Sequence, residues 1–269
     1  MRRHRLVTLL STRRVGPNVF QQRFEDPLIA RRARAGQFVH LLPGSEQLFR
    51  RAFSVYATDP DAETFDVLHQ VYGEGTRLLS CLPRGASIDA IGPLGNRFTV
   101  PPRGHTPVLV GGGLGMAPLR LWAAELLDSG TSKRSAPPLL VLGARNRALC
   151  VTPYALPGLS RRTHWATDDG SRGIHGTAVS LLERLIAEQQ IDAHAATVYG
   201  CGPEPMLRAL ATVCAGHGMP CQVSLERSMP CGFGVCMGCV VRARDTSGYD
   251  TFKRVCRDGP VFDSHAIIL

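Results

Sequence analysis

The sequence predicts a mixed α and β chain of three modules: an antiparallel β-barrel, an α/β domain built on a parallel sheet, and a small C-terminal module organised by cysteines. Three observations carry this. Short β-like runs punctuated by Pro and Gly fill residues 1–100, strand-like and helix-like segments alternate through 101–222, and Cys231, Cys236, Cys239 and Cys256 punctuate 223–269. A length of 269 residues is long for one domain and ample for two plus a small module.

In the first region the runs 5–10, 36–42, 52–56, 64–71 and 87–91 read as strands, separated by Gly16-Pro17, Pro43-Gly44, Asp59-Pro60 and Pro83-Arg84-Gly85. One helical turn is expected over 76–81. Arg51-Ala52-Phe53-Ser54 lies on a predicted strand, where a guanidinium and a hydroxyl could hold phosphate and a ring system; a solvated Arg is the plain alternative. Gly73-Glu74-Gly75-Thr76 opens the helical turn, so its amides and the Thr hydroxyl form either an anion site or an ordinary N-cap.

Pro101-Pro-Arg-Gly-His105 reads as a linker, after which the pattern changes. A strand at 107–110 runs into Gly111-Gly112-Gly113-Leu114-Gly115 and a helix over Met116–Leu127, followed by strands at 139–142 and Thr163–Thr167, a helix at 179–189, a strand at 197–199 and a helix at 204–214. A glycine-rich turn between strand and helix lets a dinucleotide approach the backbone. The first such turn, Gly111 to Pro118, is not a full G-x-G-x-x-G, and no acidic residue is clearly placed for a ribose. A second, Gly200-Cys201-Gly202-Pro203-Glu204-Pro205-Met206, closes another strand. Two such turns at the carboxyl ends of parallel strands indicate a ligand crevice.

The cysteines follow C-x4-C-x2-C with a fourth at C-x16-C, the spacing of a plant-type [2Fe–2S] site, which needs four thiolates. Gly232, Gly234 and Gly238 permit a tight loop whose amides point at sulfur. A structural zinc is the alternative, although zinc modules present two short Cys pairs rather than a triplet and a distant single. Cys81, Cys150, Cys201, Cys214 and Cys221 show no ligand spacing and read as buried small hydrophobes. An odd total of nine cysteines and no visible secretory signal point to a reducing, cytoplasmic setting.

The net charge of +9 is carried almost wholly by arginine, with a modest concentration at Arg2, Arg3, Arg5, Arg13, Arg14, Arg31, Arg32 and Arg34. No nucleic-acid-binding motif accompanies it, so a basic surface facing anionic cofactors or an acidic partner is expected and nucleic acid is not. The apolar stretch at 6–10 is too short for a signal h-region, and no segment reaches the roughly 18 apolar residues of a membrane span.

Taken in order, Arg51 to Ser54, Gly73 to Thr76, Gly92-Pro93-Leu94-Gly95-Asn96, Gly111 to Pro118, Gly200 to Met206, Ser224-Leu225-Glu226-Arg227 and Cys256-Arg257-Asp258-Gly259-Pro260-Val261-Phe262 resemble the ferredoxin–NADP reductase superfamily, and within it the electron transfer subunits of dihydroorotate dehydrogenase B. The likeness spans nearly the whole chain and is most specific in the C-terminal block. It implies an FAD-binding barrel (1–100) in which Arg51, Ala52, Phe53, Ser54, Leu68, His69, Gln70, Gly75 and Thr76 meet FAD. His69 reads equally as a structural histidine. It further implies an NAD-binding domain (101–222) using Gly111, Gly112, Gly113, Gly115, Met116, Pro118, Cys201, Gly202, Pro203 and Met206, and a [2Fe–2S] module (223–269) on Cys231, Cys236, Cys239 and Cys256. Arg145 would suit a 2′-phosphate, but the family leads to NAD. Two departures are Ala52, where the family usually has Pro, and a slightly long loop between Cys239 and Cys256.

Nicotinamide exchanges electrons in pairs and the cluster one at a time, and a flavin can do both. No catalytic acid–base dyad is expected, and no length remains for a substrate-oxidising barrel. The resemblance therefore implies a partner, an FMN-containing catalytic subunit that oxidises dihydroorotate in pyrimidine biosynthesis, in a heterotetramer of two plus two. The alternatives are a reductase subunit of another complex, of sulfide dehydrogenase or NADH-dependent ferredoxin:NADP oxidoreductase type, and a non-enzymatic zinc-stabilised binding protein.

Overall fold

Period-two alternation builds the first module. The computed structural model describes residues 4–44, 49–128, 136–151, 158–244 and 251–269; Arg2, Arg3 and Lys133 lie outside them. Strands β1 (His4–Gly16), β2 (Val19–Glu25), β3 (Phe38–Leu42), β4 (Arg51–Asp59), β5 (Thr64–Gln70) and β6 (Ser87–Leu94) close into an antiparallel barrel in the order β1-β2-β5-β4-β3-β6. Alternate residues Val39 and Leu41, Phe53 and Val55, Phe65 and Val67, and Ile88 and Ala90 fill its interior. Two helices accompany it, α1 (Pro27–Arg32) and α2 (Glu74–Cys81).

Sequence periodicity missed β2 and α1. In β2 the buried Gln22 interrupts the apolar alternation, yet its amide donates to the Leu79 carbonyl at 2.8 Å and to Thr12 Oγ1 at 3.0 Å, so a polar residue is satisfied inside. α1 has a start signal, Asp26 accepting from Ile29 N–H at 2.8 Å with Pro27 at the first helical position, but six residues leave no helical period to read.

The second module contains β7 (Thr106–Gly112), α3 (Met116–Leu127), β8 (Leu139–Ala144), β9 (Thr163–Thr167), β10 (Ile174–His175), α4 (Ala178–Ala187), β11 (Ala196–Cys201), α5 (Glu204–Gly216) and β12 (Cys221–Ser224). The sheet order is β10-β9-β8-β7-β11-β12, all parallel, with a C-terminal strand added beyond β12. The chain winds outward from β7 to β8 and β9, then returns to the other side at β11. The order therefore reverses between β7 and β11, where both glycine turns leave the sheet.

The C-terminal region adds β13 (Val240–Ala243), β14 (Phe252–Arg254), β15 (Val261–Asp263) and β16 (Ile267–Ile268). β13, β14 and β16 form a small antiparallel sheet, whereas β15 pairs antiparallel with β12 and extends the larger one. The expected boundary at 222–223 falls inside β12, so the third module is stitched into the second. The cysteines outside the ligand pattern also need one correction: Cys150, Cys201, Cys214 and Cys221 are buried, but Cys81 is exposed at the end of α2, where the amphipathic helix turns its polar face to water.

The modules share a core. Phe98 stacks on Trp122 of α3 and meets Tyr199 of β11 edge-on, while Tyr199 Oη donates to the Thr99 carbonyl at 2.8 Å. Asn96 locks the barrel to the C-terminal block: its amide donates to the Val261 carbonyl at 2.8 Å, and its Oδ1 accepts from Val261 N–H at 2.9 Å. Beside it Gly95, at φ +79°, leaves no room for a side chain against Pro260. Asn96→Ala leaves a buried peptide unpaired on both sides and is expected to cost about 2 kcal/mol, read as a lower urea midpoint with unchanged m-value.

Candidate functional site

A cavity of about 650 Å³ opens where β4 and β5 face the segment 224–230. Its walls include Arg51, Ala52, Phe53, Ser54, Leu68, His69, Gln70 and Thr76, all expected from sequence to meet FAD, together with Tyr72, Arg50 and Met229, which were not singled out, and Glu226, which the sequence marked only as part of the 224–227 motif. Gly75 does not line it. A Cβ on Gly75 would lie 2.9 Å from Arg51 Nε, so the glycine lets the guanidinium rest on the first turn of α2. The N-cap residue Gly73 has no side chain to occupy the leading amides, and its own N–H donates to Thr76 Oγ1 at 3.2 Å. Those leading amides and the Arg51 cation together suit an anionic diphosphate. Thr76 serves its own loop: Oγ1 accepts from Tyr72 N–H at 3.0 Å and donates to the Gly73 carbonyl at 3.0 Å.

His69 is 2% exposed, with its ring stacked on Phe20 and tilted against Phe53. Nε2 pairs with Gln22 Oε1 at 3.1 Å. Burial pulls its pKa down to about 4. The ring is thus a neutral, structural part of the cavity wall.

A second cavity of about 370 Å³ lies at the carboxyl ends of β7, β8 and β9. Gly112, Gly113, Gly115, Pro203 and Met206 line it; Gly111, Met116, Pro118, Cys201 and Gly202 stand behind the wall. The glycines of the two turns pack closely. A Cβ on Gly115 would fall 2.1 Å from the Cys201 carbonyl oxygen, and one on Gly112 would fall 2.5 Å from Met206 Sδ. The two glycine turns therefore rest on each other, backbone against backbone, at the point where strand order reverses.

This cavity also contains Arg145 and Asp168, from the ends of β8 and β9, and the start of α4 at Thr177 and Ala178. Asp168 is an acidic residue of this cavity that the sequence did not single out, because it follows β9 rather than β8. Its neighbour Asp169 is occupied by Ser171, whose hydroxyl it accepts at 2.6 Å. Gln70, Tyr72, Leu114 and Glu226 border both cavities. Glu226 is open to the cleft but enclosed elsewhere, and that burial raises its carboxyl above the ordinary range.

The four cysteines expected as ligands lie together beyond the larger cavity. Cys231 is half-buried, Cys236 exposed, and Cys239 and Cys256 buried. They form two thiol pairs, Cys231 with Cys236 and Cys239 with Cys256. Among the described residues no three His, Cys, Asp or Glu side chains converge on one metal-ion position. Two pairs match the donor arrangement of a two-iron cluster, two thiolates to each iron.

Backbone amides turn inward as the glycines lead one to expect. Gly232 and Gly234 take φ +77° and +90°, Gly238 N–H donates to Cys236 Sγ and Cys256 N–H to Cys239 Sγ, both at 3.4 Å. Burial alone would push Cys231 up, but the amides of Cys236, Phe233 and Val235 outweigh it and bring the thiol down to about 6. Burial, with Cys239 next, pushes Cys256 up to about 12. Arg254 Nη1 donates to the Gly234 carbonyl at 2.9 Å and anchors the loop.

Comparison with known proteins bears on all three sites. The family model for the iron–sulfur cluster binding domain of dihydroorotate dehydrogenase B matches residues 226–268. The "Dihydroorotate dehydrogenase B (NAD(+)), electron transfer subunit" of Caldanaerobacter subterraneus is 35% identical over 97% of this chain and 96% of its own length. Its namesake from Enterococcus faecalis is 34% identical over 100% and 99%. An NADH-dependent reduced ferredoxin–NADP oxidoreductase structure, studied for flavin-based electron bifurcation, superposes with TM-score 0.82 and 28% identity over 98% of this chain and 90% of that one. A ferredoxin NADP+ reductase from Neisseria gonorrhoeae with bound FAD and NADP shares the fold, with TM-score 0.68 and 19% identity over 84% and 95%.

The neutral state of His69 has a consequence for stability. Between its ordinary pKa of 6.5 and its folded value of about 4, the unfolded chain binds a proton that the folded chain refuses. Stability contributed by this ring is therefore present above pH 6.5 and lost as pH falls through that window. His69→Gln is expected to flatten the decline: between pH 7 and pH 5 its urea midpoint drops less than that of the unaltered protein.

Proposed function

The chain belongs to the family of dihydroorotate dehydrogenase B electron transfer subunits, and on that premise we propose that it carries electrons from an FMN-containing catalytic partner through a [2Fe–2S] cluster and FAD to NAD+. The observation that carries this reading is spatial. The segment 224–230 lines the larger cavity, touches the smaller one at Glu226 and leads directly into Cys231.

In this reading FAD occupies the larger cavity, against Arg51 to Ser54, Leu68 to Gln70 and Thr76, with its diphosphate beside Arg51 and the first turn of α2 at Gly75. NAD occupies the smaller cavity, cradled by Gly112, Gly113, Gly115, Pro203 and Met206. Gly111, Met116, Pro118, Cys201 and Gly202 hold those turns in place. Asp168 suits a free ribose 2′-hydroxyl, which favours NAD over a 2′-phosphate. Bound FAD supplies the exchange between paired and single electrons. The protein's own contribution is to bring the two cavities into contact at Gln70, Tyr72, Leu114 and Glu226, and to hold the thiolates close by.

The four cysteines hold the cluster as two pairs. Around the exposed Cys236, Phe233, Val235 and Met237 are 38%, 73% and 49% exposed, an apolar collar that a catalytic subunit would cover. A heterotetramer of two subunits of each kind, working in the cytoplasm in pyrimidine biosynthesis, completes the reading.

Anaerobically purified protein is expected to contain FAD, iron and acid-labile sulfide, and to support dihydroorotate-dependent NAD+ reduction when joined with the catalytic subunit. Cys236→Ser should abolish that coupled activity while leaving direct NADH oxidation by a dye. Flavin-bearing protein without iron or sulfide would overturn the proposal.

A further inference from the structure

His40 lies at the centre of β3 and has no role in the barrel. Its side chain is 0% exposed; neither ring nitrogen makes a well-formed hydrogen bond, and the backbone of Met229 and Cys231 acts on the ring as a weak acceptor. A buried polar group without a well-formed hydrogen bond is costly, so what the ring faces decides its role. Val39 and Leu41 point into the barrel core, which directs Phe38 and His40 to the opposite face.

Two neighbours on that face define what His40 separates. In the β3–β4 ladder it is paired with Ala52, a wall residue of the larger cavity. From the other side the cysteine loop closes on the ring, where a Cβ on Gly232 would lie 2.5 Å from Nδ1 and 2.8 Å from Cε1. The backbone of Met229 and Cys231 runs alongside. Gly232 thus brings the loop against an imidazole that no side chain at 232 would admit, and the imidazole stands between the flavin cavity and a cluster ligand. An imidazole carries at least one ring N–H to donate in either protonation state.

We propose that His40 is a positioning residue for the cluster, its N–H donating to the sulfur or carbonyl lining of the Cys231 loop when the cluster is bound, so that it fixes the loop against the flavin wall and raises the cluster's reduction potential. The sign follows from charge: the reduced cluster is more negative, and a donor aimed at its surroundings stabilises that state. The proposal rests on the reading that the four cysteines hold a [2Fe–2S] cluster.

The test uses the whole chain, purified anaerobically, with FAD, iron and acid-labile sulfide measured before anything else. EPR-monitored titration then gives the cluster potential, and pulsed EPR of protein labelled with 15N-histidine gives any coupling between the reduced cluster and a histidine nitrogen. The unaltered protein is expected to show that coupling. His40→Phe should retain iron and sulfide, lose the coupling and titrate at a lower potential, and His40→Gln, which keeps a donor, should recover most of the shift. If iron-loaded His40→Phe keeps both the potential and the coupling, the proposal is overturned. Should His40→Phe fail to hold iron, the labelled unaltered protein decides, and absence of the coupling there overturns the proposal. Absence of iron and sulfide from the unaltered protein overturns the cluster reading itself, and the metal analysis separates that failure from the others.

Discussion

The irregular strip from residue 224 to 231 is the constraint on which the rest depends. It starts in the sheet, where Ser224 pairs with Cys201 of β11 and Val261 of β15. Leu225 N–H donates to the Pro260 carbonyl at 2.9 Å, Arg227 pairs with Glu204 at 2.6 Å, and Met229 is buried in the core. A segment without helix or ladder must satisfy its polar backbone piecemeal, and it holds one shape only if neighbours grip it repeatedly. Here the grips come from each module in turn. That is why a strip of eight residues can touch both cavities and end at a cluster ligand.

The electrostatics follow the same plan. Arg50 and Arg51 stand at the larger cavity, Arg145 at the smaller, and α2 and α4 present their amino ends nearby. Positive charge is concentrated where dinucleotide phosphates are expected. The exposed ion pairs of the helices, Arg77 with Glu74 and Arg184 with Glu188, contribute little to stability in water. Burial on either side of the barrel wall lowers the pKa of the His40 and His69 imidazoles alike, so the positive charge at that wall comes from arginine.

What was legible in the sequence is what chemistry restricts to few residue types. Thiolate ligation demands cysteine at fixed spacing, close backbone approach demands glycine, and a helix packed against both a sheet and a barrel must be apolar over most of its surface. α3 and β9 accordingly appear with the bounds expected, and the three fold classes with them. Tyr72, Glu226, Asp168 and His40 were not legible as site residues, because each is placed by tertiary structure. Asp168 reaches its cavity through the position of β9 two strands from the first glycine turn. Glu226 does so through an irregular strip, and His40 through a register that no local pattern reveals. Cys81 was misread because a cysteine in an amphipathic helix has no signal telling which face it takes.

The cysteine site is asymmetric, and the asymmetry suits a carrier. Cys239 and Cys256 are buried, supported by the small sheet through the Val255 N–H bond to the Cys239 carbonyl at 3.0 Å. Cys231 and Cys236 form a pair that runs from the flavin wall to the surface, because Cys231 adjoins the loop packed on His40 while Cys236 is open to solvent. Burying every thiolate would insulate the cluster from another protein, since electron transfer weakens steeply with distance. Exposing all of them would surround it with water, removing the apolar shell that tunes its potential. In the proposed cluster, the buried pair would fix the metal and the bridging pair would connect it to the surface.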